Sequence, residues 1–283
     1  MIYRTRFAPS PTGLLHLGHA FSALLAFDRA QAAGGTFLLR IEDIDRPRCK
    51  PEFEAAILED LHWLGLEWPS PVLRQSERMT AYDAALNRLI SLDLCYPCRC
   101  TRRDIRGALS APQESAMATG PDGPVYPGTC RGRGMESAGP NDAIRLDMGR
   151  ALDRLGDARP GFTETGPLHP GQHLLDRAAL LHEVGDVVLA RRDIGTSYHV
   201  AVVVDDADQH ITEVVRGADL FAATQIHVLL QVLLGRPTPC YHHHGLIRDE
   251  RGKRLAKRDD ARSLAHYRDQ GVAPATIRRM VGL

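Results

Sequence analysis

Arg6-Phe7-Ala8-Pro9-Ser10-Pro11-Thr12-Gly13-Leu14-Leu15-His16-Leu17-Gly18-His19 is the stretch on which the rest of the reading turns. An apolar and basic segment breaks at two prolines, a glycine follows, and the tetrad His16-Leu17-Gly18-His19 leads into an alanine- and leucine-rich run at 20–27 that reads as helix. The order is strand, tight turn, helix start. A helix start presents unpaired N–H groups and the positive end of its dipole, which suits a phosphate. Two histidines there add donors that follow charge as it builds on a phosphoryl group, and Gly18 lets backbone approach a ligand that a side chain would exclude. Taken alone, the tetrad also fits a plain helix start with a capping histidine.

Outward from it, a glycine pair at Gly34-Gly35 turns the chain into Thr36–Ile41, a buried strand that ends in Glu42-Asp43-Ile44-Asp45-Arg46. Charged groups at the end of a buried strand are where open α/β sheets place ligands. A helical period covers 52–64 and Gly65 stops it; a second helix starts at Gln75-Ser76-Glu77-Arg78. From 107 to 142 no hydrophobic period survives, which predicts an irregular insertion. Strands are then expected at 143–146, 186–190, 197–204 (the most apolar, followed by Asp205-Asp206), 210–216 and 241–247. Helices are expected at 222–234, ending at Gly235, and at 263–270 and 273–281.

Composition excludes several classes. The 283 residues are 43% hydrophobic and 25% charged with zero formal net charge, an ordinary globular balance without a global basic field. A nucleic-acid partner would need a local patch; arginine-rich candidates are 99–106 and 253–258, although such runs are commonly solvated faces. No window approaches the roughly 18 apolar residues of a membrane span, and no signal peptide is recognisable. A cytoplasmic protein is expected. Six cysteines without secretion signals do not read as a disulfide framework.

Three groups of residues carry chemistry. Cys98, Cys100 and Cys130 are thiols of the kind that hold structural zinc, which needs four ligands. Cys95 and the Tyr126 phenolate are both candidates for the fourth; a loop so poor in apolar residues needs something to hold its shape. Gly252-Lys253-Arg254-Leu255-Ala256-Lys257-Arg258 gathers cations suited to a triphosphate. Arg6, Ser10, Glu42, Tyr198 and Arg216, at or just past strand ends, could hold an amino acid with a second carboxylate: arginine takes the side-chain carboxylate in a bidentate fork and Glu42 the ammonium. Neither the Walker-type nor the G-x-G-x-x-G phosphate loop occurs.

These residues also carry a resemblance. The leader with its tetrad, then Arg40-Ile41-Glu42-Asp43-Ile44-Asp45-Arg46, Leu61-His62-Trp63-Leu64-Gly65-Leu66, Gln75-Ser76-Glu77-Arg78 and Arg254-Leu255-Ala256-Lys257-Arg258 follow the order of the glutamyl-tRNA synthetase catalytic domain, a class I aminoacyl-tRNA synthetase. The chain ends soon after Lys257, so it resembles the truncated paralogous family, the glutamyl-queuosine tRNA(Asp) synthetases, which lack the anticodon-binding domain. The resemblance implies an α/β fold: a Rossmann-type core with an inserted zinc-containing subdomain and a short helical C-terminus. The expected divisions are 1–97 and 186–250 for the two core halves, 98–185 for the insertion, and 251–283 for the Lys257 loop and terminal helices.

It further implies ATP with Mg²⁺, L-glutamate, and queuosine-containing tRNA(Asp) as partners, with no membrane and no protein partner. By residue, Arg6, Phe7, Ala8, Pro9, Ser10, Glu42, Tyr198 and Arg216 are expected to contact glutamate. His16, Gly18, His19, Arg254 and Lys257 are expected on ATP, with His16, His19 and Lys257 catalytic. Cys98, Cys100, Tyr126 and Cys130 are expected to hold one structural zinc, so Tyr126 gains over Cys95. The family's Lys-Leu-Ser-Lys reads Arg254-Leu255-Ala256-Lys257 here, which keeps the first charge and loses a hydroxyl. The expected chemistry is in-line attack of the glutamate α-carboxylate on the α-phosphorus of ATP, then transfer to a queuosine hydroxyl without RNA being needed for activation. The alternatives are a short glutamyl-tRNA synthetase acting on the 3′ end of tRNA(Glu), a small-molecule nucleotidyltransferase, and an inactive binding module.

Overall fold

The computed structural model describes residues 2–109, 119–247 and 262–283. In chain order the elements are β1 (Arg4–Phe7), α1 (Leu17–Ala32), β2 (Thr36–Ile41), α2 (Pro51–Trp63), β3 (Leu73–Arg74), α3 (Met79–Ser91), β4 (Cys95–Cys98), α4 (Arg102–Leu109), β5 (Thr119–Gly120) and β6 (Gly123–Pro124). Then come β7 (Ala143–Leu146), α5 (Met148–Leu155), β8 (Gly161–Glu164), β9 (Gly171–Leu174), α6 (Arg177–Ala179), β10 (Val188–Ala190), α7 (Tyr198–Asp208), β11 (Glu213–Gly217), α8 (Thr224–Leu234), β12 (Cys240–His244), α9 (Leu264–Asp269) and α10 (Pro274–Val281). The cationic loop with Arg254 and Lys257 lies outside the described residues, as does 110–118 of the irregular stretch.

β1, β2 and β3 pair in parallel in that order, and β11 pairs in parallel with β12. β1 runs beside β11. The Thr212 N–H donates to the Arg4 carbonyl (2.9 Å), and the Arg4 N–H donates to Thr212 Oγ1 (2.8 Å). The spatial order is therefore β3-β2-β1-β11-β12, and the winding direction reverses between β1 and β11. A doubly wound sheet opens a crevice at such a reversal, beyond the carboxyl ends of its strands. α1 packs on this sheet through Leu24 and four alanines, Ala20, Ala23, Ala26 and Ala30, whose small side chains let helix and sheet approach closely. Ile277 and Val281 of α10 close the same core. A second, antiparallel sheet has the order β10-β7-β4, and the segment between β4 and β7 includes the short β5–β6 hairpin. Among the described residues no helix is long and apolar enough to cross a membrane.

Two expectations change. The apolar run 197–204 is not a strand but the start of helix α7. Valines favour pleated surfaces, yet Ser197 accepts a hydrogen bond from the Val200 N–H and caps a helix whose residues 199–207 are all buried. A helix covered on every side shows no polar face, so its period is invisible in the sequence. The stretch at Gln75 is a single 3-10 turn, Gln75–Glu77, with α3 starting only at Met79. The glycine stops at Gly65 and Gly235 occur as expected, at φ of 81° and 65°.

Asp205 and Asp206 explain why α7 sits where it does. Asp206 accepts from Arg6 (2.9 Å) and Arg40 (2.7 Å), and Asp205 from Gln75 (2.9 Å), Arg78 (2.7 Å) and Tyr82 (2.9 Å). Burial alone pushes the Asp206 carboxyl up, but the two guanidinia outweigh it and hold it at about 2. Removing one partner of such a buried cluster costs about 3–5 kcal/mol, against about 0–1 for an exposed pair. Asp206→Asn is therefore expected to lower unfolding free energy in urea by about 3–5 kcal/mol. Glu59→Gln, which breaks the exposed Glu59–Arg268 pair, should change it by less than about 1 kcal/mol.

Candidate active site

The crevice at the reversal holds a cavity of about 240 Å³ lined by residues that include Arg6, His16, His19, Glu42, Tyr198 and Arg216. The helix start forms one wall. His16 is the N-cap of α1: its Nδ1 accepts from the Gly18 N–H (3.1 Å), while His19 Nδ1 accepts from the His16 N–H (3.2 Å). Because each Nδ1 accepts, each ring carries its proton on Nε2, the kind of donor a phosphoryl oxygen needs. The rings lie 3.8 Å apart between centroids. A Cβ at Gly18 would stand 3.0 Å from the His16 ring, so this glycine makes room for the capping histidine itself. Ile247 lines the cavity, and Ser263 pairs with His16.

Arg216, near the end of β11, supplies the opposite wall. Its side chain is buried, and its partners are all neutral: His243 Nε2 (3.0 Å), His227 Nδ1 (3.1 Å), Thr224 Oγ1 (2.7 Å) and the Leu220 carbonyl (3.3 Å). A guanidinium only donates, so both histidines must accept from it, and this fixes every proton beyond them. His243 Nδ1–H donates to Glu164 Oε2 (2.5 Å). His227 Nε2–H donates to His199 Nδ1 (3.0 Å), and His199 Nε2–H to Asp122 Oδ1 (3.2 Å). Burial, and after it the Arg216 charge, hold His227 well below the ordinary histidine range and His243 at about 4. Arg6 differs: it is already paired with Asp206. The cavity thus presents one cation with no carboxylate partner among the described residues, and such a charge requires an anion.

Glu42 and Tyr198 stand between this cavity and a neighbouring one of about 330 Å³, and line both. Burial raises the Glu42 carboxyl while Arg40 and Arg6 pull it down, with a net rise. The Arg40 Nη2–H donates to it at 3.3 Å. Burial, then the Glu42 charge, raise the Tyr198 phenol. Of the expected contacts, Arg6, Phe7, Ala8, His16, Gly18, His19, Glu42, Tyr198 and Arg216 line the first cavity. Ser10 lines the second instead, and Pro9 lines neither: its carbonyl accepts from the Glu42 N–H (3.0 Å) and extends the β1–β2 pairing. Tyr198 opens a helix rather than ending a strand. The sequence reading missed Ser22 and His244, joined at 2.8 Å in the cavity wall, and the His199–His227–His243 set. The run His242-His243-His244 at the end of a strand was the available signal.

The thiols also converge. Cys98, Cys100 and Cys130 offer Sγ atoms that all lie within 4.8 Å of one another, and Tyr126 Oη lies 3.4 Å from Cys98 Sγ and 3.3 Å from Cys100 Sγ. Cys95 is not part of this group. Zinc–thiolate bonds of about 2.3 Å give tetrahedral sulfur separations of about 3.8 Å, and Cys100 to Cys130 measures 3.5 Å. Burial pushes the Cys130 thiol up, but hydrogen bonds from Tyr126, the Arg99 backbone and the other two thiols outweigh it and bring it to about 6. The Arg145 guanidinium stacks 3.9 Å above the Tyr126 ring as a cation–π contact, while burial and then the hydrogen bonds with the three thiols push the Tyr126 phenol up. The donor set fits a thiophilic metal.

Comparison with known proteins gives a consistent picture. Residues 3–136 and 174–283 match the family described as tRNA synthetases class I (E and Q), catalytic domain. The chain is 60% identical over 282 residues to the Glutamyl-Q tRNA(Asp) synthetase of Rhodobacter capsulatus, covering 99% of both. It is 44% identical over 273 residues to the protein of that name from Nocardia farcinica, covering 96% of this chain and 81% of that one. Among solved structures it is similar to the glutamate-tRNA synthetase of Elizabethkingia anophelis, with a TM-score of 0.78 and 29% identity; it is covered fully and spans 62% of that chain.

The buried neutral histidines carry a pH signature. Their folded pKa values are depressed, so between about 6.5 and about 4 the unfolded chain binds protons that the native state refuses. The histidine contribution to stability is therefore expected to be flat above about pH 6.5 and to fall as pH drops toward 4, by up to about 1.4 kcal/mol per unit per histidine. Urea midpoints at a series of pH values check this. A His227→Gln variant should show a shallower fall, and an unchanged slope would show that His227 is not buried neutral.

Proposed function

This chain belongs to the class I tRNA synthetases of the glutamate and glutamine type, and among them to the glutamyl-Q tRNA(Asp) synthetases; from that membership we propose that it activates L-glutamate with ATP and transfers it to the queuosine base of tRNA(Asp). The observation that carries the reading is Arg216: a buried cation with neutral partners, in one cavity with a carboxylate and the α1 helix start. An amino acid with an extra carboxylate satisfies Arg216 through a charge-assisted hydrogen bond from its remaining N–H, and Glu42 accepts from the ammonium. Glutamine offers no charge to Arg216 and leaves it uncompensated.

The mechanism is positioning and electrostatics. The α-carboxylate oxygen attacks the α-phosphorus in line, the bond to the β-phosphate bridging oxygen breaks, and pyrophosphate leaves with that electron pair. The Nε2–H groups of His16 and His19 and the N-terminal N–H groups of α1 donate to the oxygens on which charge develops. Lys257 and Arg254 would neutralise the pyrophosphate, and Mg²⁺ enters with ATP as its counter-ion. No side-chain nucleophile is required. In the transfer step a ring hydroxyl of queuosine displaces AMP from the adenylate. The likeness to a glutamate-tRNA synthetase keeps one second reading, esterification of the 3′ end of tRNA(Glu).

Cys98, Cys100, Tyr126 and Cys130 would hold one structural zinc, whose chemistry there is to cross-link a segment with little apolar core of its own. Reduced thiols of this kind suit a cytoplasmic location.

Three outcomes are expected. ATP–pyrophosphate exchange should occur with glutamate, not glutamine, in the absence of RNA; exchange only after adding tRNA(Glu) would move the reading to the short synthetase. Arg216→Met should lower exchange by about 100- to 1000-fold while leaving thermal stability unchanged or raised, because it removes an uncompensated buried charge. Elemental analysis should find one zinc per chain and none in Cys130→Ser; a full complement of zinc in that variant would exclude the ligand set.

A further inference from the structure

Asp122 sits at the tip of the β5–β6 hairpin, in the turn Pro121-Asp122-Gly123. Proline presets the first turn residue, and Gly123 takes a φ of 99°, where a side chain would be strained. The hairpin is seated by close approach of backbone. A Cβ at Gly120 would run into the Glu183 carbonyl, and one at Gly185 would stand 2.8 Å from the Val125 side chain. The tip thereby meets His199, in the first turn of α7, whose Nε2–H donates to Asp122 Oδ1 (3.2 Å). The Asp122 side chain is 42% exposed and that of His199 only 8%. A carboxylate at the surface thus ends a hydrogen-bond chain that starts on a buried guanidinium in the cavity wall.

A guanidinium has five N–H donors. In Arg216, Nε–H goes to His243, Nη2 serves Thr224 and the Leu220 carbonyl, and one Nη1–H goes to His227, which leaves one Nη1–H for a ligand. Both hydrogens of Nη1 lie in the guanidinium plane, so the acceptor on one sets the direction of the other. That acceptor is His227 Nδ1, which is bare only while the ring proton stays on Nε2. The Nε2–H is buried, and His199 Nδ1 accepts it (3.0 Å). His199 must in turn keep its own proton on Nε2, where Asp122 accepts it. A buried donor without an acceptor is costly, and a histidine escapes that cost by turning its ring or moving its proton.

We infer that Asp122 and His199 are positioning residues for amino-acid binding: the hairpin tip fixes the protons of two histidines, and these aim the remaining N–H of Arg216 at the side-chain carboxylate of the substrate. The inference rests on the activation reading given above. It makes a turn between β4 and β7 a determinant of glutamate affinity, although that turn lines neither cavity. A nucleotide at the α1 helix start does not use Arg216, so its binding is independent of the chain.

The full chain is assayed by ATP–pyrophosphate exchange, with KM measured separately for glutamate and for ATP. In His199→Leu, which offers His227 no acceptor, KM for glutamate is expected to rise about tenfold and KM for ATP to stay within about twofold of the parent. Asp122→Ala should raise KM for glutamate about threefold while the melting temperature stays within about 3 °C, because the pair is exposed at its acidic end. In His199→Gln, Oε1 can accept from His227 and Nε2–H can donate to Asp122, so most of the His199→Leu loss should be recovered. Long-range ¹H–¹⁵N NMR of histidine-labelled protein, with His227 assigned by its missing signal in His227→Gln, should show Nδ1 bare and Nε2 protonated in the parent. Parent-level KM for glutamate in both His199→Leu and Asp122→Ala overturns the inference. An equal rise of both KM values overturns it too, as does a protonated Nδ1 on His227 in the parent. Absence of exchange in the parent overturns the activation reading, and the link to glutamate with it, while the NMR spectrum still decides the hydrogen-bond chain. If His199→Leu fails to fold, Asp122→Ala decides.

Discussion

The Asp206 carboxylate, shared by the guanidinia of Arg6 and Arg40 at 2.9 and 2.7 Å, is the interaction on which the rest of the site depends. It fastens β1 and β2 to α7, and through Asp205 the same helix end also holds Arg78, Gln75 and Tyr82. Burial makes the arrangement costly to break rather than strongly stabilising in itself. Its electrostatic consequence is a division of labour between two arginines that read alike in sequence. Arg6 reaches the cavity already paired, so it shapes the wall. Arg216 reaches it with neutral partners only, so an incoming anion meets its full charge.

The histidines keep it so. Each stands between the guanidinium and a carboxylate, Glu164 on one side and Asp122 beyond His199 on the other. A carboxylate in direct contact would position Arg216 equally well but would compete with the ligand. One or two imidazoles in between transmit a directed hydrogen bond while removing most of the Coulombic compensation, which falls with distance. The cost is a buried charge awaiting its partner, a loss of stability of the kind tolerated at sites built for binding.

What the sequence disclosed follows from the range of each interaction. The His16–His19 cap is local, spans four residues and was legible; so were the glycine stops, because positive φ is a single-residue property. Helix α7 was not, since valine favours strands and a helix buried all round has no polar face to reveal its period. Gly18 was legible as a close approach, though the group approaching is the His16 ring. The convergence of Cys98, Cys100, Tyr126 and Cys130 joins residues some 30 positions apart, and spacing alone left Cys95 and Tyr126 both open. The protons on His227 and His199 belong to no local pattern. They are determined only once Arg216 is known to donate, which is tertiary information.

The segment between β4 and β7 reaches this site, and the covalent route through it is not the only link. Asp122, on the turn between β5 and β6, ends the chain that starts at Arg216, and Arg192 anchors the loop beside Tyr198 to the backbone of the thiol cluster. The two links serve different walls: one orients the Arg216 guanidinium, the other supports the edge of the neighbouring chamber. Anything that holds the thiol cluster in shape therefore bears on both cavities, although it touches neither. These two hydrogen-bonded links act through preorganisation: they keep a donor-only guanidinium and a polar chamber in place before any ligand arrives, and that ordering is then no longer subtracted from binding.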